Sequence, residues 1–342
     1  MNSFYESQIR KRIDKIKTIA KNAPILNLIV LSSNYYKTGK RFKIGPLGII
    51  KENKKDSNKV KNSENNNNNY IHHSNSSSKF SKKEVEKGIV YFGYCPYKNN
   101  IKENGSNIDI DIDIKVPPFD EDKDKEKIEQ IYSILNTNNI NVSHLLENKK
   151  YGVYFYIYFN PDYMKYYIKD CGLYYGTFIK IQNEIILKSN YIINIGDTFL
   201  IISIGIENKS FLNEEKFKEK KKIFSFSDSE YNNNLNLKII SKDKYYDPIN
   251  FLPTKSKIKI GRASNCEIVI DDILLSRVHC TIEYKNDLGW IIRDGYINKE
   301  NVEESIDNKG STNGTWIYTF EDTPIYEGMI LRYDNNLFRC KF

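Results

Sequence analysis

The 342-residue chain lacks the signals that mark most enzymes, metalloproteins and membrane proteins. Its five cysteines include no CxxC pair, and its four histidines do not fall at zinc-ligand spacing, so we expect neither a metal nor a cofactor. There is no apolar run of about 18 residues and no apolar N-terminal segment that would direct secretion. Phosphate-binding glycine loops, kinase motifs and catalytic triads are also missing. These absences argue against an enzyme and favour an intracellular protein, nuclear or cytoplasmic, with reduced thiols.

Tyrosine, by contrast, is abundant. The chain has 26 tyrosines, many of them in runs with isoleucine and phenylalanine, and such runs favour β-strands. Only 39% of the residues are hydrophobic, because long runs rich in asparagine and lysine dilute the apolar segments. The composition therefore predicts an all-β protein in which residues 51–87 have too little apolar surface to fold and stay disordered.

The positive charge lies upstream of the last quarter of the chain. The formal net charge is +8, yet residues 255–342 contain 12 Lys and Arg against 14 Asp and Glu, a net charge of −2, which leaves +10 for residues 1–254. Basic tracts attract nucleic acid and acidic surfaces, but a solvated lysine-rich chain has the same composition. Residues 1–24 predict a basic amphipathic helix that ends at Pro24, either docked on the following domain or available to a membrane surface or partner.

Three short polar clusters follow or interrupt strand-like sequence near the C-terminus. They are Gly261-Arg262, Ser276-Arg277-Val278-His279 and Ser311-Thr312-Asn313-Gly314-Thr315. Their positions predict three loops at one end of a β-sandwich. Arginine forks and hydroxyl groups that converge on one point suit a phosphate monoester, whose oxygens accept charge-assisted hydrogen bonds. No general base accompanies them, so the sequence predicts a site that holds a phosphate without transferring it.

The order GR, SRxH and STNGT resembles the forkhead-associated (FHA) family of phosphothreonine-peptide-binding modules, over about Leu237 to Phe342. The resemblance implies five phosphopeptide-binding residues, which are Arg262, Ser276, Arg277, Thr312 and Asn313. It implies four residues that support the loops, which are Gly261, His279, Gly310 and Gly314.

Each implied residue has a distinct role. Arg262 is expected to place its guanidinium on the phosphate, and Arg277 to add a second charge. Ser276 is expected to donate its hydroxyl to a phosphate oxygen. Thr312 is expected near the phosphothreonine, and Asn313 to hydrogen-bond the peptide backbone. A nucleophile-and-base interpretation of the Ser-Arg-Val-His segment is not favoured, because no third residue orients the histidine.

The first half of the chain echoes the second. The matched segments are Lys43-Ile44-Gly45 with Lys259-Ile260-Gly261, Ser143 with Ser276, Gly172–Thr177 with Gly310–Thr315, and Gly196-Asp197 with Gly328-Met329. On this alignment Pro46 replaces Arg262 and His144 replaces Arg277, which removes both arginines from the first copy. We therefore expect a degenerate FHA-like sandwich there, with an unrelated β domain as the alternative.

The predicted architecture is all-β, with two tandem FHA-like β-sandwiches preceded by a short N-terminal helix. The expected segments are a helix over 1–24, the degenerate sandwich over 25–206 with its insertion at 51–87, a flexible linker over 207–235, and an FHA domain over 236–342. The resulting hypothesis is an adaptor that binds phosphothreonine-containing proteins. The alternatives are a structural scaffold with an idle phosphate site, and a nucleic-acid-associated protein that uses the basic N-terminal half.

Overall fold

This computed structural model describes residues 3–50, 88–93, 102–103, 106–107, 112–116, 153–172, 176–205, 233–241, 244, 246–254, 257–297 and 308–342. Within these residues the chain is mostly β-strand, with one helix, α1 (Ser3–Ile19). The insertion expected over 51–87 lies outside the described residues, as does most of the linker expected over 207–235. The predicted all-β fold is confirmed.

The strands of the first half are rich in isoleucine, tyrosine and phenylalanine, as their sequence predicts. They are β1 (Leu26–Ser32), β2 (Arg41–Gly45), β3 (Gly48–Ile49), β4 (Ile89–Gly93), β5 (Lys102–Glu103), β6 (Ser106–Asn107), β7 (Ile114–Lys115), β8 (Val153–Asn160), β9 (Lys165–Asp170), β10 (Thr177–Lys180), β11 (Ile185–Ile186), β12 (Ile192–Ile195) and β13 (Thr198–Ile204).

Twelve strands are described in the second half of the chain. They are β14 (Leu235–Ile240), β15 (Ile249–Phe251), β16 (Lys257–Gly261), β17 (Ile268–Val269), β18 (Cys280–Lys285), β19 (Gly289–Asp294), β20 (Tyr296–Ile297), β21 (Asn308–Lys309), β22 (Thr315–Tyr318), β23 (Thr323–Pro324), β24 (Ile330–Tyr333) and β25 (Asn336–Lys341). In β14 the buried Leu235, Leu237 and Ile239 alternate with less buried residues, because successive side chains point to opposite faces of a sheet.

The helix α1 packs on the sandwich of the first half. Its Ile13 and Ile16 are buried, and Ile19 contacts the core of that sandwich. Lys15 forms an ion pair with Asp162, which follows β8. The apolar stripe of the helix is therefore covered by the protein itself, which is the arrangement that the docked alternative describes.

One continuous sheet of eleven strands runs through the molecule, in the order β15-β14-β13-β12-β22-β10-β24-β25-β1-β2-β3. Two five-stranded sheets pack against it, and each forms a separate hydrophobic core with it. Their strand orders are β11-β19-β18-β16-β17 and β23-β9-β8-β4-β7. Ile179 and Ile193 lie on one face of the large sheet with Ile317 between them, and Ile317 contacts both cores. The large sheet thus forms two neighbouring β-sandwiches, as the sequence predicted.

In each half of the chain, the last three strands complete the sandwich that the other half forms. Strand β13 pairs antiparallel with β14, β12 pairs with β22, and β11 pairs with β19. In return β25 pairs with β1, β24 with β10, and β23 with β9. Residues 185–204 therefore complete the sandwich of the second half, and residues 323–341 complete that of the first. No pattern in the sequence predicts this exchange.

The exchange relates the two halves by an approximate two-fold axis. Strands β10 and β22 lie side by side, with Ile179 directly opposite Ile317. These two positions are equivalent in the repeat, because Gly176-Thr177 corresponds to Gly314-Thr315. The registers of β24 on β10 and of β12 on β22 then make Arg332 the counterpart of Asn194.

Arg332 and Asn194 meet at this seam. The Arg332 guanidinium donates a hydrogen bond to Asn194 Oδ1, and its carbon lies 4.4 Å from the ring centre of Trp316 and 5.0 Å from that of Phe178. Burial lowers the pKa of Arg332 to about 10. A cation from one half of the chain is therefore held by an amide and an aromatic ring of the other half and by its own Trp316.

The strand pairing corrects two matches of the sequence alignment. Strand β4 pairs in parallel with β7, as β16 pairs in parallel with β17, so Gly93 and not Gly45 is the counterpart of Gly261. Gly196-Asp197 joins β12 to β13, so its counterpart is Asp334-Asn335, which joins β24 to β25. Pro46 is therefore not the counterpart of Arg262. The proposed counterparts Ser143 and His144 lie outside the described residues.

Candidate functional site

The first loop of the candidate site begins where β16 ends. The Arg262 amide donates to the Ser276 carbonyl at 3.2 Å, and the Ala263 amide donates to the Arg277 carbonyl at 3.0 Å. A Cβ atom at Gly261 would lie 2.4 Å from the Arg277 carbonyl oxygen. Only glycine allows the two backbones to approach this closely. Two backbone hydrogen bonds therefore hold the first predicted loop against the second.

The second loop is closed by His279, which is fully buried. Its Nδ1 accepts a hydrogen bond from the Ser276 amide at 3.1 Å, so the proton of the neutral ring is on Nε2, which lies 3.0 Å from the Gly314 carbonyl oxygen. Burial lowers the pKa of His279 below its usual value and favours this neutral form. The histidine thus links the second loop to the third.

The third loop meets the second through Ser276 and Asn313. The Thr312 amide donates to Ser276 Oγ at 2.9 Å, and Ser276 Oγ lies 3.3 Å from Thr312 Oγ1. Asn313 Nδ2 donates to the Leu274 carbonyl at 2.7 Å, while its own carbonyl accepts from Trp316 Nε1 at 2.9 Å. Thr312 and Asn313 are both exposed, so the second and third loops present these side chains to solvent while holding each other.

Asp294, at the end of β19, organises the third loop and was missed by the sequence reasoning. Its carboxylate accepts hydrogen bonds from the Ser311 amide at 3.0 Å, from Ser311 Oγ at 2.5 Å and from Thr315 Oγ1 at 2.7 Å. Gly310 is exposed and lies beside the same carboxylate. The repeat contains a signal for this role. Asp170 ends β9 as Asp294 ends β19, and each is followed further along the chain by a Gly-Thr pair, Gly176-Thr177 or Gly314-Thr315.

The two arginines supply the charge of the site. Arg262 and Arg277 are both exposed, and neither guanidinium forms an ion pair or a side-chain hydrogen bond with the residues that the structure describes. Their backbones lie on neighbouring loops, each bonded to the loop opposite. Two positively charged guanidinium groups without a carboxylate partner among the described residues, on loops next to the one that carries Thr312, provide with the Ser276 and Thr312 hydroxyls the donors that a phosphate dianion requires.

The first sandwich has a different residue at the position of His279. The registers Cys280↔Asp294 and Phe155↔Asp170 place Tyr154 where the second sandwich has His279. Tyr154 is buried and stacks on Tyr333, with ring centres 4.7 Å apart. The imidazole that joins two loops of the second sandwich therefore has no counterpart in the first.

Within the described ranges, no group of three or more His, Cys, Asp or Glu side chains could hold a metal ion. In the same part of the chain, no helix is both long enough and apolar enough to cross a bilayer.

The family model for the FHA domain matches residues 258–333, which contain all three loops. The chain contains an FHA domain. A solved structure described as a structural and functional analysis of phosphothreonine-dependent FHA domain interactions is also similar, at 12% identity over 28% of this chain and 84% of that chain, with a TM-score of 0.12. A comparison with curated proteins finds no match. The assignment rests on the family model, because a TM-score this low carries no weight.

This FHA domain does not close on itself. The matched residues end at Tyr333, the last residue of β24, and β24 pairs with β10 in the sandwich of the first half. Strands β12 and β13 take the corresponding places beside β22 and β14. Lys180 of the first half also approaches the third loop, since a Cβ atom at Gly314 would lie 2.8 Å from Lys180 Cε. The FHA domain is therefore built from both halves of the chain.

Proposed function

We propose that this protein is an adaptor that binds phosphothreonine-containing proteins through its FHA domain. The observation that carries the proposal is the convergence of three loops on one spot, with Arg262 and Arg277 exposed and without an anionic partner among the described residues. FHA domains in general are non-catalytic modules that recognise phosphothreonine peptides. An intracellular location, nuclear or cytoplasmic, is part of this proposal.

The phosphate would be held by charge and by hydroxyl groups. Arg262 and Arg277 would donate N–H groups to its oxygens, and each such charge-assisted bond contributes about 1.5–3 kcal/mol. Ser276 Oγ already accepts a bond from the Thr312 amide, so its own proton is free to turn from Thr312 Oγ1 to a phosphate oxygen. The Thr312 hydroxyl would then also donate to a phosphate oxygen.

The peptide backbone would be held by Asn313. Its Nδ2 is bonded to the Leu274 carbonyl, which fixes the orientation of the amide, while its Oδ1 has no donor within the described residues. That oxygen would accept a backbone N–H of an extended peptide, as the resemblance implies. Recognition would therefore combine a charged anchor with a backbone contact.

The test is a titration of the full chain with a degenerate phosphothreonine peptide library, beside the unphosphorylated and phosphoserine forms. Full-length protein is required, because residues 185–204 complete the FHA sandwich. We expect binding that depends on phosphorylation and that weakens by about 10- to 150-fold in Arg262→Ala, since one charge-assisted contact is lost.

The matched control is Arg339→Ala, which removes an exposed arginine from the other sandwich. It should leave phosphopeptide affinity unchanged. Absence of binding by folded wild-type protein, or an equal loss in both variants, would overturn the phosphothreonine-reader proposal.

The strand exchange favours a structural role for the first half. We propose that residues 25–206 and 236–342 are two modules of a duplicated FHA-like sequence, the first degenerate, and that the first serves to complete the second. The scaffold alternative from the sequence thus applies to one half of the chain. Binding of a partner that survives Arg262→Ala but is lost with a mutation confined to the first sandwich would extend that role to partner recruitment.

A further inference from the structure

The turn between β12 and β13 lies against the second loop of the FHA site. It is a two-residue turn, Gly196-Asp197, with a positive φ of 56° at Gly196, as a tight hairpin of the II′ type requires at its first position. The Asp197 amide donates to Asp272 Oδ2 at 2.9 Å, and Thr198 Oγ1 lies 3.4 Å from the same oxygen. A Cβ atom at Gly196 would lie only 2.6 Å from that oxygen. The turn and the carboxylate therefore fit closely.

The other oxygen of the same carboxylate holds the second loop. Asp272 Oδ1 accepts a hydrogen bond from the Leu274 amide at 2.8 Å, and the Asp272 carbonyl accepts one from the Leu275 amide at 3.0 Å. Leu275 is buried and directly precedes Ser276, while the Leu274 carbonyl receives the Asn313 side chain. Asp272 thus joins the turn of the first half to the backbone that places two of the proposed binding residues.

We propose that the turn Gly196–Thr198, acting through Asp272, is a positioning element of the phosphopeptide site supplied by the first half of the chain. This inference rests on the proposed function, and it concerns residues 75 positions apart in sequence. None of the turn residues touches the phosphate. Their effect is to hold the Ser276 loop in its binding conformation before the peptide arrives, which lowers the ordering that binding demands.

The size of the effect follows from the bonds involved. A backbone N–H bonded to a carboxylate is a charge-assisted hydrogen bond, and these are roughly twice as strong as neutral ones. Because the bond is near the surface, we expect its loss to weaken phosphopeptide binding by about five- to twentyfold, less than the loss of a phosphate-binding arginine.

The experiment uses full-length variants and a phosphothreonine peptide selected from the library. Asp272→Ala removes the carboxylate, and Asp197→Pro removes the N–H donor at a turn position where Asp197 does not have a positive φ. The matched control is Asn335→Pro, which alters the equivalent turn of the β24–β25 hairpin in the other sandwich. We expect the first two variants to bind five- to twentyfold more weakly and the control to bind within twofold of wild type.

A double-mutant cycle with Ser276→Ala separates positioning from general loss of stability. If Asp272 acts through the Ser276 loop, the effects of Asp272→Ala and Ser276→Ala on affinity are not additive, whereas Asn335→Pro and Ser276→Ala are. Wild-type affinity in Asp272→Ala, equal losses in Asp197→Pro and Asn335→Pro, or strict additivity would overturn the inference.

A measurement without peptide keeps this inference separable from the proposed function. The Thr312 amide is bonded to Ser276 Oγ, so its hydrogen exchange reports the position of the Ser276 loop. Asp272→Ala should accelerate this exchange and Asn335→Pro should not. If wild-type protein binds no phosphopeptide while this exchange responds as expected, the proposed function fails, and what remains is that the turn positions the Ser276 loop. If binding is present and the exchange does not respond, the positioning role fails alone.

Discussion

Cutting the chain between its halves should not separate them. We would place a specific protease site within residues 209–220, between the two halves, and cleave the folded protein there. In a pair of independent tandem domains the products would part. Here residues 185–204 lie in the sandwich of the second half and residues 323–341 in that of the first, so the two fragments should remain together.

The strength of this association follows from what the exchanged strands bury. Residues 185–204 and 323–341 place at least eight large apolar side chains, each at most 4% exposed, in the cores of the opposite half, among them Ile193, Ile195, Leu200, Ile202, Ile325, Met329, Leu331 and Phe338. At about 1.5–3 kcal/mol each, their burial contributes about 12–24 kcal/mol. Association itself costs about 4–15 kcal/mol. The middle values of the two ranges differ by about 8 kcal/mol, which is the net free energy of association and corresponds to a Kd near 1 μM. The inter-strand hydrogen bonds strengthen the association further.

The assay is size-exclusion chromatography with light scattering, at about 50 μM, well above that Kd. The cleaved protein should elute at the mass of the intact 40.2 kDa chain, and should separate into fragments only in denaturant. Elution as two smaller species under native conditions would refute the exchange.

An engineered disulfide tests the strand exchange independently. Ile29 and Arg339 are directly opposite in the β1–β25 pair, so the double variant Ile29→Cys, Arg339→Cys should form a disulfide. After cleavage of the linker this bond should join the two fragments on a non-reducing gel. The matched control, Ile29→Cys with Ile201→Cys, pairs β1 with the equivalent position of β13 and should cross-link only if each half closes on itself.

Two further expectations concern buried ionisable groups. Burial raises the pKa of Asp170 to about 6, against an unfolded value of about 3.9, so its contribution to stability is full below about pH 4 and is lost as the pH rises through about 6. Relative to wild type, Asp170→Asn should therefore gain up to about 3 kcal/mol of unfolding free energy between pH 4 and pH 7, measured by urea denaturation; a difference that stays constant with pH would contradict this. Arg332→Ala should destabilise the protein by about 2–4 kcal/mol, because it removes the stacking on Trp316 and Phe178 and leaves Asn194 Oδ1 without its donor. Arg332→Met should lose less, since its side chain retains much of that packing, and equal unfolding free energies for the two variants would show that the packing contributes nothing.

Local patterns in the sequence predicted the local parts of the structure. The runs of tyrosine with isoleucine and phenylalanine predicted β-strands, and β8 and β9 lie in such runs. Gly261 was expected among the residues that support the loops, and a Cβ atom there would lie 2.4 Å from the Arg277 carbonyl oxygen. These features depend on neighbours within a few positions, which a single sequence displays directly.

The exchange depends on a choice that local patterns do not encode. Residues 192–204 and 330–341 both form hairpins with short turns, and the two hairpins occupy equivalent places in the two sandwiches. Periodicity identifies two such hairpins but not which sandwich each one completes. The alignment error at Gly45 has the same origin, because RFKIG and IVYFG both end in glycine and only the parallel partner, β7, distinguishes them. Long-range pairing decides both questions.

The seam explains why the two halves of one chain pair with each other. Asn194 and Arg332 occupy equivalent positions on either side of the approximate two-fold axis, and they form an acceptor and a donor. If two second halves paired, Arg332 would face another Arg332, and two like charges would be buried together without a counter-ion. If two first halves paired, Asn194 would face Asn194, and no cation would lie beside the two Phe178 rings. The residues that break the symmetry therefore disfavour both homodimers, and they favour the intramolecular pairing that brings the Gly196–Thr198 turn to the proposed phosphopeptide site.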